Sequence, residues 1–328
     1  MSSLPMGLPN LGVLTLQGAQ AIQQAIQAQG QFAVGNFYFV DPVNGNDNNI
    51  PTTPATAVKT LAAGYAFLVS GHNDVLVLIG NGASTGTARI SATFKWEKSA
   101  CHLVGVCAPS ALSQRARIAP NATDTAFANF FTVSGSGCLF QNISWFHGFN
   151  TGVAAEICLT VTGTRNAFIN CDIEGMGDTT GATDTGSRSI LLNGGGENIF
   201  SHCNIGLDTV QRTGANASVE VKADTVRNIF ENCTFLFWSS DGLQYALYGA
   251  AAACFDRFVL FKGCNFIAGV GTKIAAACVV PAGAGGLICF DATCGVFNFT
   301  AIGDATTKTQ TWVSGGTATN GVKGIVAG

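Results

Sequence analysis

Acidic side chains are the first place to look for chemistry in this chain, and only 19 of its 328 residues are Asp or Glu. Asp172 and Glu174 stand two apart in Cys-Asp-Ile-Glu, so a strand here puts both on one face. Asp178 and Asp184 follow in a Gly/Thr-rich stretch. Carboxylates about 5–10 Å apart can serve as acid and base, or acid and nucleophile, on a glycosidic bond. A denser cluster can hold Ca²⁺. This group is the best acidic cluster in the chain, and it competes with a simpler reading as solvated turn aspartates. Glu220 and Lys222 also share strand parity, which reads as an exposed ion pair. On these grounds no catalytic, cofactor-binding or metal-binding residue is assigned, and no cofactor is expected.

Twelve cysteines raise the question of a disulfide framework or a metal site. No Cys-x-x-Cys pair occurs, and His72, His102, His147 and His202 are scattered. Phosphate-binding Gly-x-x-x-x-Gly-Lys-Ser/Thr, Gly-x-Ser-x-Gly and zinc-protease patterns are also missing from the sequence.

The elements that would position these residues are set by a repeated phrase. It occurs as Phe140-Gln-Asn-Ile143, Phe168-Ile-Asn-Cys171, Phe200-Ser-His-Cys203, Phe230-Glu-Asn-Cys233 and Phe261-Lys-Gly-Cys264. Successive Phe residues are 28, 32, 30 and 31 apart. A period of that length with strand-forming residues and no helical pattern predicts a β-solenoid. Phe and Cys three apart would face opposite sides of a flat strand, so their common burial requires a bend between them. Asn142, Asn170, Asn232 and Gly263 sit at that bend and tolerate a left-handed backbone; His202 is the exception. Asn166, Asn198 and Asn228, two residues ahead of the Phe, predict a second corner. Third strands are expected at Ile157–Val161, Ser189–Leu192 and Ser218–Val221. The repeat cysteines then form an inward ladder of reduced thiols, small hydrophobes rather than bridges. Asp172, Asn204, Thr234 and Asn265 fall on one outward column.

The run Phe39-Val-Asp-Pro-Val-Asn-Gly-Asn-Asp47, then Ala57-Val-Lys-Thr-Leu-Ala62, then Asn73-Asp-Val-Leu-Val-Leu-Ile-Gly80, resembles the opening of pectin-lyase-like right-handed β-helix proteins. The resemblance covers about residues 37–300 and implies an all-β fold: a right-handed, single-stranded parallel β-helix of about 7–8 rungs, each about 30 residues. It implies a short helix closing the first end. Gly71-His-Asn-Asp74 is two residues longer than the usual pattern, so the first corner is expected to differ. The superfamily contains lyases, hydrolases, adhesins and phage tailspikes, so the fold does not choose a function.

Three segments result: an arm or capping helix over 1–36, the β-helix over 37–300, and a strand tail over 301–328. Residues 13–29 carry Ala19, Ile22 and Ile26 at helical spacing without a charge, which suits either an end cap or a docking arm. The N-terminus lacks a basic cluster followed by an apolar core, so no secretory signal is expected. A net charge of -3 gives no electrostatic reason for nucleic-acid binding. The longest uncharged stretch, 274–290, is broken by Pro281 and three glycines, so no membrane span is expected. Among Trp145, Phe146, Phe149, Phe237 and Trp238 some must point outward, where they would mark subunit association.

The charge-poor composition, the buried thiols and the resemblance to phage β-helix proteins together give the expected function. It is that of a bacteriophage virion structural protein, a homotrimer attached to the major capsid protein as a capsid decoration or head fibre. The alternative is a tailspike-like protein that binds or depolymerises a host glycan, a polysaccharide hydrolase or lyase if an enzyme at all.

Overall fold

A computed structural model describes residues 35–107, 116–254, 256–281 and 286–303, with two further strands at Thr311–Ser314 and Lys323–Ile325. The helix expected over 13–29 lies outside the described residues. The chain coils into three parallel sheets of eleven, eight and eight strands among the described residues. Each complete coil contributes one strand to each sheet, and the ends of the shaft add strands to the first sheet alone. Phe140, Phe168, Phe200, Phe230, Phe261 and Phe290 stack in register on the first sheet. The second sheet follows the bend, and the third carries Ile157–Val161, Arg188–Asn193 and Ala217–Lys222. Strands Thr311–Ser314 and Lys323–Ile325 continue the first sheet in parallel.

The bend between first and second sheets is left-handed in all five repeats, with φ of 56° at Asn142, 51° at Asn170, 56° at His202, 52° at Asn232 and 62° at Gly263. After it, Ile143, Cys171, Cys203, Cys233 and Cys264 turn inward and are buried. Each repeat thiol donates to the carbonyl of the Phe one rung back, from Cys171 to Phe140 (3.4 Å), Cys203 to Phe168 (3.3 Å) and Cys233 to Phe200 (3.2 Å). Cysteine suits this position because it is small, apolar and a weak donor. Burial pushes the Cys171 and Cys233 thiols up, which keeps them protonated. All twelve cysteines are free thiols.

The second corner needs a correction. Its left-handed residues are Arg165, Glu197 and Arg227, each one position before the expected Asn, with φ of 58°, 59° and 49°; Gly137, at 68°, takes the same place on the preceding rung, ahead of Cys138. The asparagines instead form a buried ladder. Asn198 Oδ1 accepts from Asn166 N (2.9 Å), and Asn228 Oδ1 accepts from Asn198 N (3.1 Å). Asn166 and Asn198 also donate to the Gly135 and Gly163 carbonyls at 3.1 and 3.2 Å. An amide is required here because it satisfies a buried N–H and a buried C=O together.

The first end closes as the opening motif implies. Strand Phe37–Val40 pairs with Asp74–Ile79, and helix Leu61–Phe67 packs Leu61 against the core. Asp47 holds the helix start by accepting from Lys59 N (2.7 Å) and Thr60 N (2.8 Å). The longer Gly71–Asp74 corner is organised by Asp74, which is fully buried and accepts from Asn36 N (2.7 Å), Val69 N (2.8 Å) and His72 Nδ1 (2.7 Å). Burial works against its ionised form, yet these donors hold the carboxyl below its ordinary value.

Asn170→Ala is expected to cost about 1–2 kcal/mol, since alanine gains nothing from a left-handed backbone and loses the donation to Asn142 Oδ1. Asn170→Gly should stay within about half of that loss. Urea unfolding of the two variants checks the ordering.

Candidate functional site

The acidic cluster lies on the outer face of the second sheet, where two columns run along the shaft. Arg117, Ser144, Asp172, Asn204, Thr234 and Asn265 form one column in register. Phe146 and Glu174 begin the other, which continues on later rungs through Leu236, Ile267 and Phe297. The expected outward column is therefore present, extended upstream by Arg117 and Ser144.

Asp172 and Glu174 share a face as predicted, and i, i+2 positions on a strand stand about 6.5–7 Å apart, a spacing paired carboxylates can use. Their surroundings do not match a substrate groove. Asp172 is 3% exposed and Glu174 5%. Asn204 Nδ2 donates to Asp172 Oδ1 at 2.8 Å. Arg117 Nη2 lies 3.5 Å from Glu174 Oε2, its Nε donates to Ser144 Oγ at 3.4 Å, and its guanidinium sits 5.5 Å from the Phe146 ring centroid. In this arrangement the pair forms a covered polar seam, with a cation and an amide meeting its charge.

Asp178 and Asp184 are likewise not solvated turn residues. Asp178 caps helix Thr179–Thr183 by accepting from Gly181 N (3.0 Å), and its other oxygen accepts from Phe149 N (3.0 Å). Asp184 ends the same helix and accepts from Ala155 N (2.9 Å) and Gly186 N (2.8 Å). The two carboxylates thus staple loop 147–156 to loop 175–187. Glu156, fully buried, completes the staple. Its Oε1 accepts from Val153 N at 3.1 Å, and its carboxyl packs against Gly181, where a Cβ would collide with Oε2. Burial, then the neighbouring Asp178, push the Glu156 carboxyl up to about 8, so it carries a proton at neutral pH. Nothing in Ala-Ala-Glu-Ile marked Glu156 for this role. Asp178 before Thr-Thr-Gly-Ala-Thr did carry a helix-cap signal.

Glu220 pairs across the rung with Arg188 Nε at 2.7 Å and not with Lys222, which is exposed. Strand parity alone could not show this, because the pair runs diagonally between rungs, with Arg188 opposite Ala217 and Glu220 opposite Leu191. Among the aromatic candidates, Trp145 and Phe237 are inside. Phe149 joins Phe127, Phe130 and His147 in a buried side cluster, and Phe146 and Trp238 face outward, partly exposed. Among the described residues no group of three or more His, Cys, Asp or Glu is placed to hold a metal ion, and no helix is long and apolar enough to cross a membrane.

No protein-family model matches the sequence, and no curated protein does. Solved structures do. A pectin methylesterase mutant in complex with hexasaccharide IV superposes with a TM-score of 0.59 at 14% identity, covering 90% of this chain and 94% of that one. The Aspergillus niger pectin methylesterase follows at 0.48 and 13%, covering 86% and 85%. The Dettilon tailspike protein matches at 0.28 and 12%, covering 84% and 73%. At these identities the likeness shows the fold alone. With parallel coils, three sheets and a first end closed by a helix, this chain has the right-handed parallel β-helix fold.

Proposed function

We propose that this chain is a structural β-helix subunit of a bacteriophage particle, a homotrimer that decorates the head and binds the major capsid protein. The observation that carries this is the change of character along the outer face of the second sheet. Its middle rungs present the covered Arg117–Asp172–Glu174 seam. Its last rungs present Leu236, Ile267 and Phe297 in one column, with Trp238 beside Val270 in the next. Phe297 is 54% exposed and Val270 46%, with Leu236, Ile267 and Trp238 partly exposed. Strands Thr234–Ser239, Asn265–Gly271 and Gly295–Phe297 contain no charged residue. An apolar strip of this kind favours association. A second copy of the chain is the occupant it fits, because two uncharged strips of equal pitch meet without like-charge repulsion. Covered, ion-paired carboxylates in the seam also support a mechanical role over hydrolysis.

Glycan binding is the second reading. Trp238 and Phe297 offer the flat apolar surfaces on which sugar rings stack, and the pectin methylesterase named above was solved with a hexasaccharide. Quantitative mass spectrometry of purified particles of the phage that encodes the chain separates the two. Copies in the hundreds are expected for a head decoration. A handful would move the chain to the tail and favour glycan binding, and complete absence would end the virion reading.

A further inference from the structure

Arg212 is the second largest departure from an apolar interior after the acidic staple, and nothing in the seam or the strip uses it. It lies between strands Asn204–Ile205 and Ala217–Lys222, bridges to Ser239, and is 1% exposed. Its Nε donates to Asn216 Oδ1 at 2.8 Å and its Nη1 to Ser218 Oγ at 3.1 Å, both neutral acceptors. Its guanidinium carbon sits 4.9 Å from the Phe237 ring centroid. Nη2 has no hydrogen-bond partner, and neither does the buried Ser189 Oγ. Ser189 and Ser218 are neighbours on adjacent rungs of the third sheet, about 4.8 Å apart. Gly175 and Gly206 pack closely beside this pair: a Cβ at Gly175 would lie 2.6 Å from Ser189 Cα and 3.0 Å from its Oγ, and one at Gly206 would lie 3.6 Å from Ser218 Oγ.

The charge balance is the decisive point. The one carboxylate of strand Ala217–Lys222, Glu220, is already paired with Arg188. Burial, then the repulsion of Arg188, lower Arg212 to about 9. Five donors and one positive charge are thus enclosed with two neutral acceptors. Burying a charge without a counter-charge is costly, and a water molecule would satisfy N–H groups without supplying one. A dianion would reverse the imbalance and needs more donors than converge here.

We propose that Arg212 Nη2, with the Ser189 and Ser218 hydroxyls, forms a buried site for a small monovalent anion of the halide class. The Arg212 guanidinium supplies the charge and two N–H donors. Ser218 accepts from Nη1 and turns its own proton to the anion, and Ser189 adds the third donor group. The ion neutralises the interior at the junction of the second and third sheets and fixes two successive rungs together.

Crystals grown from sodium bromide, measured at the bromine absorption edge, test this. One anomalous peak is expected within hydrogen-bonding distance of Arg212 Nη2 and Ser189 Oγ, with a chlorine anomalous signal in its place in crystals from sodium chloride. No peak at Arg212 in either salt would overturn the proposal. Arg212→Met should lose the peak with the coils intact, and a peak that persists there would reveal an adventitious ion only. Should that variant fail to fold, Ser189→Ala keeps the question open to a decision: occupancy should fall against wild type, and undiminished occupancy would refute the assigned donor set.

Discussion

Phe200→Ala is expected to be the most damaging single substitution in the shaft, at about 3–5 kcal/mol. Phe200 is fully buried at the middle of a ring column. Its centroid lies 4.6 Å from Phe168 with planes 4° apart, and 4.8 Å from Phe230 at 10°. The column runs on from Phe140 to Phe290 with spacings of 4.8, 5.1 and 4.9 Å at the remaining steps. These distances follow the rung pitch, so the backbone ladder and the ring stacking reinforce each other. Removing one ring deletes two stacking contacts and leaves a cavity that parallel strands on both sides cannot collapse into. A solenoid transmits stability only between neighbouring rungs. The variant should therefore unfold in guanidinium in two steps, with the halves on either side separated. Phe290→Ala, near the end of the column, should lower the midpoint while keeping one step. A single cooperative transition for Phe200→Ala, with a loss under about 1 kcal/mol, would show that the column does not couple the rungs.

Stability should peak near pH 6.5 and fall on both sides. On the acid side, burial lowers His102 and His147 to about 4, against an ordinary 6.5. Folded imidazoles stay neutral while unfolded ones take up protons, so their contribution is complete above about pH 6.5 and is lost as pH falls toward 4. His102 Nδ1 accepts from Leu139 N at 3.0 Å, a bond that protonation would abolish. On the alkaline side, Glu156 is raised to about 8 from 4.5. The folded chain holds that proton and the unfolded chain releases it, so stability declines from about pH 4.5 and levels off above 8. Each group changes the slope by about 1.4 kcal/mol per pH unit. Between about pH 4.5 and 6.5 the two histidines outweigh the one glutamate, and above 6.5 the glutamate acts alone. Glu156→Gln keeps the acceptor for Val153 N and cannot ionise. Relative to wild type it should gain on the order of a few kcal/mol between pH 5 and pH 8, with a steeper acid limb between about pH 4.5 and 6.5, where the two histidines are no longer opposed. Thermal melts across pH 4–9 test this. Parallel profiles for the two proteins would show that Glu156 is not the group that titrates.

Features that depend on one rung were legible in the sequence, and features that depend on what packs over a rung were not. The bend at Asn142, Asn170, Asn232 and Gly263 follows from the conflict between Phe and Cys facing, and the column through Asp172, Asn204 and Thr234 follows from the repeat register. At the second corner the same amide preference pointed one residue too far, because Asn166 and Asn198 serve a buried ladder there and not the turn. The covering of Glu174 and Asp172 depends on Arg117 and Asn204, which lie 57 and 32 positions from them respectively and join them only through the coil. Glu156 and Arg212 had no local signal, since their roles come from loops stapled across rungs.

The central claim is that the shaft works by joining copies through the uncharged strip of its last rungs. Static light scattering of the purified chain, coupled to gel filtration, tests it most directly. The account predicts three times the chain mass for wild type, and a single chain mass for Phe297→Glu with an unchanged circular dichroism spectrum. A wild-type protein that stays monomeric at high concentration would contradict it.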